Sequence, residues 1–249
     1  MTATTDFSCL RDGLAIRGQV FGEPGTGKDA VIISHGFLAN QKTVRGYAVA
    51  LAEEGYLAVT FDFNGGGIGS KSDGRSVDMT LLTEKADLLE VVTTVREQFS
   101  PASLSLMGCS QGGFVSALAA KELQGGVRRL VLFYPALCIP DDARKGHMMF
   151  YRFDPMHVPD VLGRFPMKLG GNYARAVMDM DPFEEITGYE GRVLLVHGTA
   201  DRIVDISYAR RARACFPSCE YHEIVGGEHG FKGAHDQEAV QILRGFMKR

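Results

Sequence analysis

MGCSQGGF, residues 107–114, is the stretch of the sequence that decides the fold. It follows the apolar run SLSLM and opens a segment, 111–123, that reads as a helix. Its pattern is Gly-x-Ser-x-Gly, with Gly108, Ser110 and Gly112. A sharp strand-to-helix turn strains the serine, and the flanking glycines relieve the crowding. The pattern predicts a nucleophilic Ser110 at a helix N-terminus, where negative charge is favoured. The alternative is a small-residue turn that happens to contain a serine.

Short apolar runs alternate with helical patterns along the rest of the chain. The strand candidates are residues 30–34, 56–63, 103–108, 129–134, 192–198 and 220–225, and the helix candidates are 79–99, 111–123 and 236–248. This alternation predicts an α/β fold with a mostly parallel central sheet flanked by helices. Residues 14–21, LAIRGQVF, are a candidate for an antiparallel edge strand.

One region interrupts the alternation. About 55 residues separate the strand candidates 129–134 and 192–198, far more than one crossover needs. We therefore predict one α/β domain, residues 1–249, with an inserted cap over residues 137–190. The insert is rich in methionine and aromatic residues, which either bind a flat apolar group or pack the cap onto the core.

A serine hydroxyl is a weak nucleophile and needs a base that is oriented by a carboxylate. In this fold the chain order is serine, then acid, then histidine. Asp201 follows the strand candidate RVLLVHG, and His229 lies in the loop after the last strand candidate. The sequence therefore predicts a triad of Ser110, Asp201 and His229.

Other acidic and histidine residues fit these roles less well. Asp205 lies further from the strand end than Asp201, and Glu228 adjoins His229 but should point elsewhere. Three histidines are placed inside strands or at the start of the last helix: His197, His222 and His235.

Two backbone N–H groups are needed to stabilise the oxyanion that develops in acyl transfer. One should belong to Gln111, the residue after the serine. The other should come from the loop after an early strand, where HGF (35–37) places Phe37. The alternative for His35 and Gly36 is a turn that packs against the serine.

Two glycine-rich stretches resemble nucleotide-binding loops only superficially. GEPGTGKD (22–29) precedes a strand, whereas a phosphate loop must follow one and open a helix, and Asp29 replaces the required hydroxyl. A surface turn is the better prediction. NGGGIGS (64–70) follows a strand but lacks the third glycine of a dinucleotide site, and we expect a loop near the active site.

The composition limits the classes of partner that the protein is expected to bind. The net charge of -3 provides no basic field for nucleic acid, and no apolar stretch is long enough to span a membrane. The N-terminal residues do not read as a secretory signal. Five scattered cysteines without a second metal-ligating pair predict free thiols in a reducing cytoplasm. The expected partner is a small molecule.

The whole chain resembles the α/β-hydrolase superfamily, because four motifs follow one another in the order typical of it: HGF, GCSQGG, HGTAD and GGEHGF. Within it, the Asp-Phe-Asn-Gly segment that begins at Asp62 and the cap before HGTAD resemble the bacterial cinnamoyl (feruloyl) esterases. The resemblance implies hydrolysis of hydroxycinnamate esters and is compatible with a homodimer. One departure is Gly66, which stands where this family often has a histidine and which therefore affects the predicted pocket shape.

By the same resemblance, Asp142 and Tyr173 match cap positions that hydrogen-bond the phenolic hydroxyl of the substrate. Their alternatives are a solvated helix cap for Asp142 and a packing tyrosine for Tyr173. The predicted function is a serine carboxylester hydrolase that needs no metal or organic cofactor. A short-chain acyl esterase, thioesterase or peptidase with the same triad, and a non-catalytic hydrolase-like binding protein, remain as alternatives.

Overall fold

Most strands of the chain join in one central sheet in the computed structural model, which describes residues 2–249. The strands are β1 (Thr4–Arg11), β2 (Leu14–Phe21), β3 (Asp29–Ser34), β4 (Leu57–Phe61), β5 (Ser103–Cys109), β6 (Arg129–Phe133), β7 (His147–Met148), β8 (Tyr151–Arg152), β9 (Val161–Gly163), β10 (Leu169–Gly170), β11 (Arg192–Gly198) and β12 (Ser218–Ile224). The sheet order is β1-β2-β4-β3-β5-β6-β11-β12. Neighbours from β4 to β12 pair in parallel, which confirms the predicted mostly parallel α/β fold.

Helices cover both faces of this sheet. They are α1 (Arg45–Glu53), α2 (Leu81–Phe99), α3 (Gln111–Leu123), α4 (Ile139–Arg144), α5 (Asn172–Arg175), α6 (Pro182–Ile186), α7 (Ile206–Ala212) and α8 (Ala234–Met247). Alternate residues of β3 enter different cores: Ile32 packs with α2 and α3, whereas Val31 and Ile33 pack with α1 and α8. The continuous apolar runs of the central strands follow from this burial on both faces.

The edge of the sheet differs from the prediction. Residues 14–21 do form an antiparallel strand, but β2 lies between β1 and β4, and β1 is the edge strand. A two-residue turn at Asp12 and Gly13, with φ of 51° and 80°, joins β1 to β2. Asp-Gly is a preferred pair for such hairpins, because both positions require positive φ.

The helix boundaries follow from local capping. Helix α3 has the predicted bounds, and α2 begins at Leu81, two residues after the predicted start. Thr80 ends the preceding loop because its hydroxyl accepts a hydrogen bond from the Thr83 amide, while the Thr83 hydroxyl accepts one from the Thr80 amide. Helices α1 and α7 were not among the predicted helices.

Residues 22–28 form the predicted turn between β2 and β3, and Asp29 begins β3. Gly22 and Gly27 have φ of 98° and 78°, and the Lys28 ammonium donates a hydrogen bond to the Glu23 carbonyl. The segment opens no helix, so the requirement for a phosphate loop is not met.

Short elements replace a single crossover helix between β6 and β11. Helices α4, α5 and α6 and the strand pairs β7–β8 and β9–β10 lie there, in the region where the sequence predicts an insert. Across residues 2–249, no helix has both the length and the apolar character that a membrane crossing requires.

Candidate active site

Ser110 occupies the turn between β5 and α3. Its φ of 55° and ψ of −122° lie in a region that L-residues rarely adopt, which is the strained conformation that the sequence pattern predicts. Glycine is required on both sides. A Cβ at Gly108 would lie 2.1 Å from the Gly112 carbonyl oxygen, and one at Gly112 would lie 2.3 Å from the His35 carbonyl oxygen.

His229 reaches Ser110 from the loop between β12 and α8. Its Nε2 atom is 2.9 Å from the Ser110 hydroxyl oxygen. The imidazole ring packs edge-on against Tyr134, with ring centroids 4.8 Å apart. This contact and the hydrogen bond together fix the orientation of the imidazole ring.

Asp201 completes the line at the carboxyl end of β11. Its Oδ2 atom is 2.7 Å from His229 Nδ1, and its Oδ1 atom accepts hydrogen bonds from the Ile203 and Val204 amides. Burial raises the pKa of Asp201, but hydrogen bonds from His197 and His229 outweigh it and hold the pKa below its ordinary value. The side chain is therefore a carboxylate at neutral pH.

The other candidates lie elsewhere. Asp205 caps α7 by accepting a hydrogen bond from the Ser207 amide, and Glu228 is exposed. His222 pairs with Glu220 on β12, and His235 lies in the first turn of α8. Among the histidines within residues 2–249, His229 is the one that contacts the Ser110 hydroxyl.

The Phe37 and Gln111 amides are the predicted oxyanion donors. Neither N–H has a hydrogen-bond partner within residues 2–249, and both residues line the same pocket as Ser110. Gly36 lies directly against the serine, since a Cβ there would be 3.0 Å from Ser110 Cβ. A glycine at this position lets the Phe37 loop approach the serine closely.

The pocket beside Ser110 is small and largely apolar. Its volume is about 40 Å³, and the 137–190 region supplies several of its walls, including Ile139, Met148 and Met149. A larger cavity of about 430 Å³ lies around Arg17 and Lys71, but its lining contains no serine–histidine pair.

Asp142 faces this pocket from α4. Its carboxylate is 3.2 Å from His147 Nε2. Burial raises the pKa of Asp142 above its ordinary value, although the Cys138 thiol and His147 act in the opposite direction. Asp142 is thus a partly buried hydrogen-bonding group in an otherwise apolar wall.

Tyr173 also lines the pocket but is fully buried, and its hydroxyl donates a hydrogen bond to Gln111 Oε1. Gln111 Nε2 in turn donates to Glu84 Oε2 at 2.5 Å. Sequence reasoning missed Glu84. Its signal was an acidic residue between Leu81 and Leu88, at helical spacing on the buried face of α2.

The comparisons with known proteins agree with this geometry. A family model described as serine aminopeptidase, S33, matches residues 25–169, which is more than half of the chain. The chain belongs to this family of α/β-hydrolases. The matched region contains Ser110, whereas Asp201 and His229 lie beyond it.

Solved structures extend the likeness of this α/β-hydrolase to the whole chain. Est1E from Butyrivibrio proteoclasticus, in a structure with bound ferulic acid, is 27% identical, with 97% of each chain covered and a TM-score of 0.89. The esterase Pf2001 of Pyrococcus furiosus is 18% identical, with 100% of this chain and 93% of that chain covered and a TM-score of 0.73, so it shares the fold. The family model and the likeness to Est1E identify the chain as an enzyme of the α/β-hydrolase class.

The remaining loop of the hydrolase site is NGGGIGS. A Cβ at Gly66 would lie 2.4 Å from Phe63 Cβ and 3.0 Å from Glu84 Oε1. The loop thus packs tightly on Glu84 at the position that departs from the cinnamoyl esterase pattern. Within the part of the chain that the structure describes, no group of three or more His, Cys, Asp or Glu side chains is placed to hold a metal ion.

Proposed function

We propose that this hydrolase is a serine carboxylester hydrolase that acts on hydroxycinnamate esters through an acyl-enzyme. The observation that carries the proposal is the hydrogen-bonded line from Asp201 through His229 to Ser110. Ser110, at the end of this line, lines an apolar pocket. A nucleophile, a base and an orienting acid at these distances form the arrangement that acyl transfer requires.

In the first half-reaction, His229 Nε2 takes the proton of the Ser110 hydroxyl as the oxygen attacks the ester carbonyl. Asp201 accepts the hydrogen bond from Nδ1 and stabilises the imidazolium that forms. The tetrahedral intermediate collapses when the imidazolium gives its proton to the alcohol, which leaves an acyl group on Ser110.

The oxyanion of each tetrahedral intermediate would be bound by the Phe37 and Gln111 amides. Both are unused in the resting structure, and preorganised donors of this kind cost no rearrangement during the reaction. In the second half-reaction, His229 removes a proton from water, which attacks the acyl group and releases the acid and the Ser110 hydroxyl.

We propose that residues 137–190 act as a cap that must move to admit substrate. A cavity of about 40 Å³ accommodates about one water molecule, far less than an aromatic acyl group. Methionine side chains are unbranched and flexible, so Met148 and Met149 suit a wall that repacks around a flat ring.

Recognition of the phenolic hydroxyl is assigned to Asp142, with Tyr173 beside it. A partly buried carboxylate binds an O–H donor more strongly than a neutral acceptor does. The structural likeness to Est1E, which has been solved with ferulic acid, supports this class of acyl group.

Labelling and mutation test the catalytic part of the proposal. A fluorophosphonate probe should label the wild type once per chain and should not label Ser110→Ala, whose hydrolytic rate should fall by about 10⁶-fold. The melting temperature of the variant provides the control for folding. Probe labelling that persists in Ser110→Ala would remove Ser110 from the mechanism.

A substrate panel tests the specificity. We expect kcat/KM for methyl ferulate to exceed that for p-nitrophenyl acetate, an acyl thioester and an aminoacyl amide. A preference for the amide would favour a peptidase, and a preference for the thioester a thioesterase. An unlabelled wild type with no hydrolysis would favour a non-catalytic binding protein.

A further inference from the structure

Glu84 is a carboxyl group buried in the core of the enzyme, and it has no basic partner among the described residues. Its side chain is inaccessible to solvent, and Oε1 has no hydrogen-bond partner within residues 2–249. The nearby Asp87, on the same helix, is paired with Arg11. Gly66 closes the space over Oε1. A buried acid that lacks a cation is costly to retain, and such groups often serve a function.

The contacts of Glu84 lead to both residues of the proposed oxyanion hole. Gln111 bears one of the two backbone N–H groups. Its side chain is held by Glu84 at Nε2 and by Tyr173 at Oε1. The Tyr173 ring also packs on Phe37, which bears the other, with ring centroids 5.7 Å apart. A single chain of side chains therefore joins α2, the nucleophile turn, the Phe37 loop and the proposed cap.

We propose that Glu84 is a positioning residue that anchors Gln111 and, through Tyr173, links the cap to the oxyanion hole. The inference rests on the proposed function, because it assigns a role within that site. Glu84 touches neither substrate nor the reacting atoms. It acts by holding the Gln111 side chain in place, so that the Gln111 backbone N–H keeps its direction toward the oxyanion of the tetrahedral intermediate on Ser110.

The neutral form of the carboxyl suits this role. Burial, and to a smaller extent the charge of Asp87, raise the pKa of Glu84 well above its ordinary value, and the hydrogen bond from Gln111 offsets only part of this. A neutral carboxyl has an O–H to donate. Its other oxygen still accepts the hydrogen bond from Gln111 Nε2, so Glu84, Gln111 and Tyr173 stay linked without a buried charge.

Three variants and a matched control test the inference, with methyl cinnamate as the substrate because it lacks a phenolic hydroxyl. Glu84→Leu removes every hydrogen bond, Glu84→Gln keeps a neutral group of the same shape, and Tyr173→Phe removes only the hydroxyl. Glu97→Gln changes an exposed residue of the same helix. The measurements are kcat, KM and the melting temperature.

We expect Glu84→Leu to lower kcat by about 10- to 100-fold with KM changed by less than about threefold, since small misplacements of catalytic groups have effects of this size. Glu84→Gln should recover kcat to within about threefold of the wild type. A wild-type kcat in Glu84→Leu, or an equal loss in Glu84→Gln, would overturn the proposal.

If Glu84→Leu does not fold, Tyr173→Phe tests whether the hydrogen bond between Tyr173 and Gln111 supports catalysis. Methyl cinnamate has no hydroxyl for Tyr173 to bind, so a loss of about 3- to 10-fold in kcat would have to act through Gln111, and an unchanged kcat would contradict the link. Fluorophosphonate labelling of the wild type separates the two levels. An unlabelled wild type refutes the proposed function, whereas a labelled wild type with unaffected variants refutes only the role of Glu84.

Discussion

His197 lies directly behind Asp201: its Nε2 atom is 3.2 Å from Oδ2, the same oxygen that His229 contacts. His197 is fully buried in β11, and its Nε2 is also 3.0 Å from the Val204 carbonyl oxygen. When Nε2 carries the hydrogen, it donates to both the Asp201 carboxylate and the Val204 carbonyl oxygen. The carboxylate of Asp201 is therefore fixed from two sides, which leaves Oδ2 aimed at the imidazole of His229.

Replacement of His197 should weaken the triad without removing it. We expect His197→Leu to lower kcat by about 10-fold, because Asp201 keeps its two amide donors and His229 but loses one N–H that orients it. Asp201→Asn should lower kcat by about 10⁴-fold, since the amide favours the wrong imidazole tautomer. Steady-state kinetics on methyl ferulate compare the two variants. Equal losses would place His197 in direct chemistry.

Two glycines in helices should respond oppositely to alanine. Gly112→Ala places a Cβ 2.3 Å from the His35 carbonyl oxygen and 2.5 Å from that of Ser34, so the free energy of unfolding should fall by about 1–3 kcal/mol. Gly245→Ala, in α8, meets no atom within 4 Å and should raise it by about 0.5–1 kcal/mol. Urea denaturation measures both. A neutral Gly112→Ala would show that the nucleophile turn can open to admit a methyl group.

Asp142 should matter only for substrates with a phenolic hydroxyl. We expect Asp142→Asn to lower kcat/KM for methyl ferulate by about 10-fold, because a charge-assisted hydrogen bond becomes a neutral one. For methyl cinnamate the value should stay within about twofold of the wild type. A parallel loss on both esters would indicate that the pair with His147 supports the pocket wall instead.

The stability of the enzyme should depend on pH through Glu84. Its folded-state pKa lies well above that of the unfolded chain, so the folded state retains a proton that the unfolded state releases above about pH 4.3. As pH rises from there to the folded pKa, the wild type loses up to about 1.4 kcal/mol of stability per pH unit from this group. Glu84→Gln lacks this loss, so its advantage in unfolding free energy should grow with pH. Denaturation series between pH 4 and 8 measure the difference, and a constant difference would mean that Glu84 is ionised in the fold.

Much of the site was predictable because it is encoded in short segments. Gly108, Ser110 and Gly112 specify a turn through local sterics, and the apolar runs around them specify buried parallel strands. The carboxyl ends of such strands meet at one edge of the sheet, so Asp201 and His229 were expected near Ser110 before any distance was known.

What only the tertiary structure decided depends on contacts between residues far apart in the chain. No local sequence pattern shows the outer position of β1 or the position of His197 behind Asp201. The same holds for the hydrogen-bonded link from Glu84 through Gln111 to Tyr173. The spacing of Glu84 between Leu81 and Leu88 places it on the apolar face of α2, but it does not show which residues the carboxyl contacts. Only packing against α3 and α5 shows that the carboxyl of Glu84 is fully buried, has no cationic partner within residues 2–249, and is joined to the site.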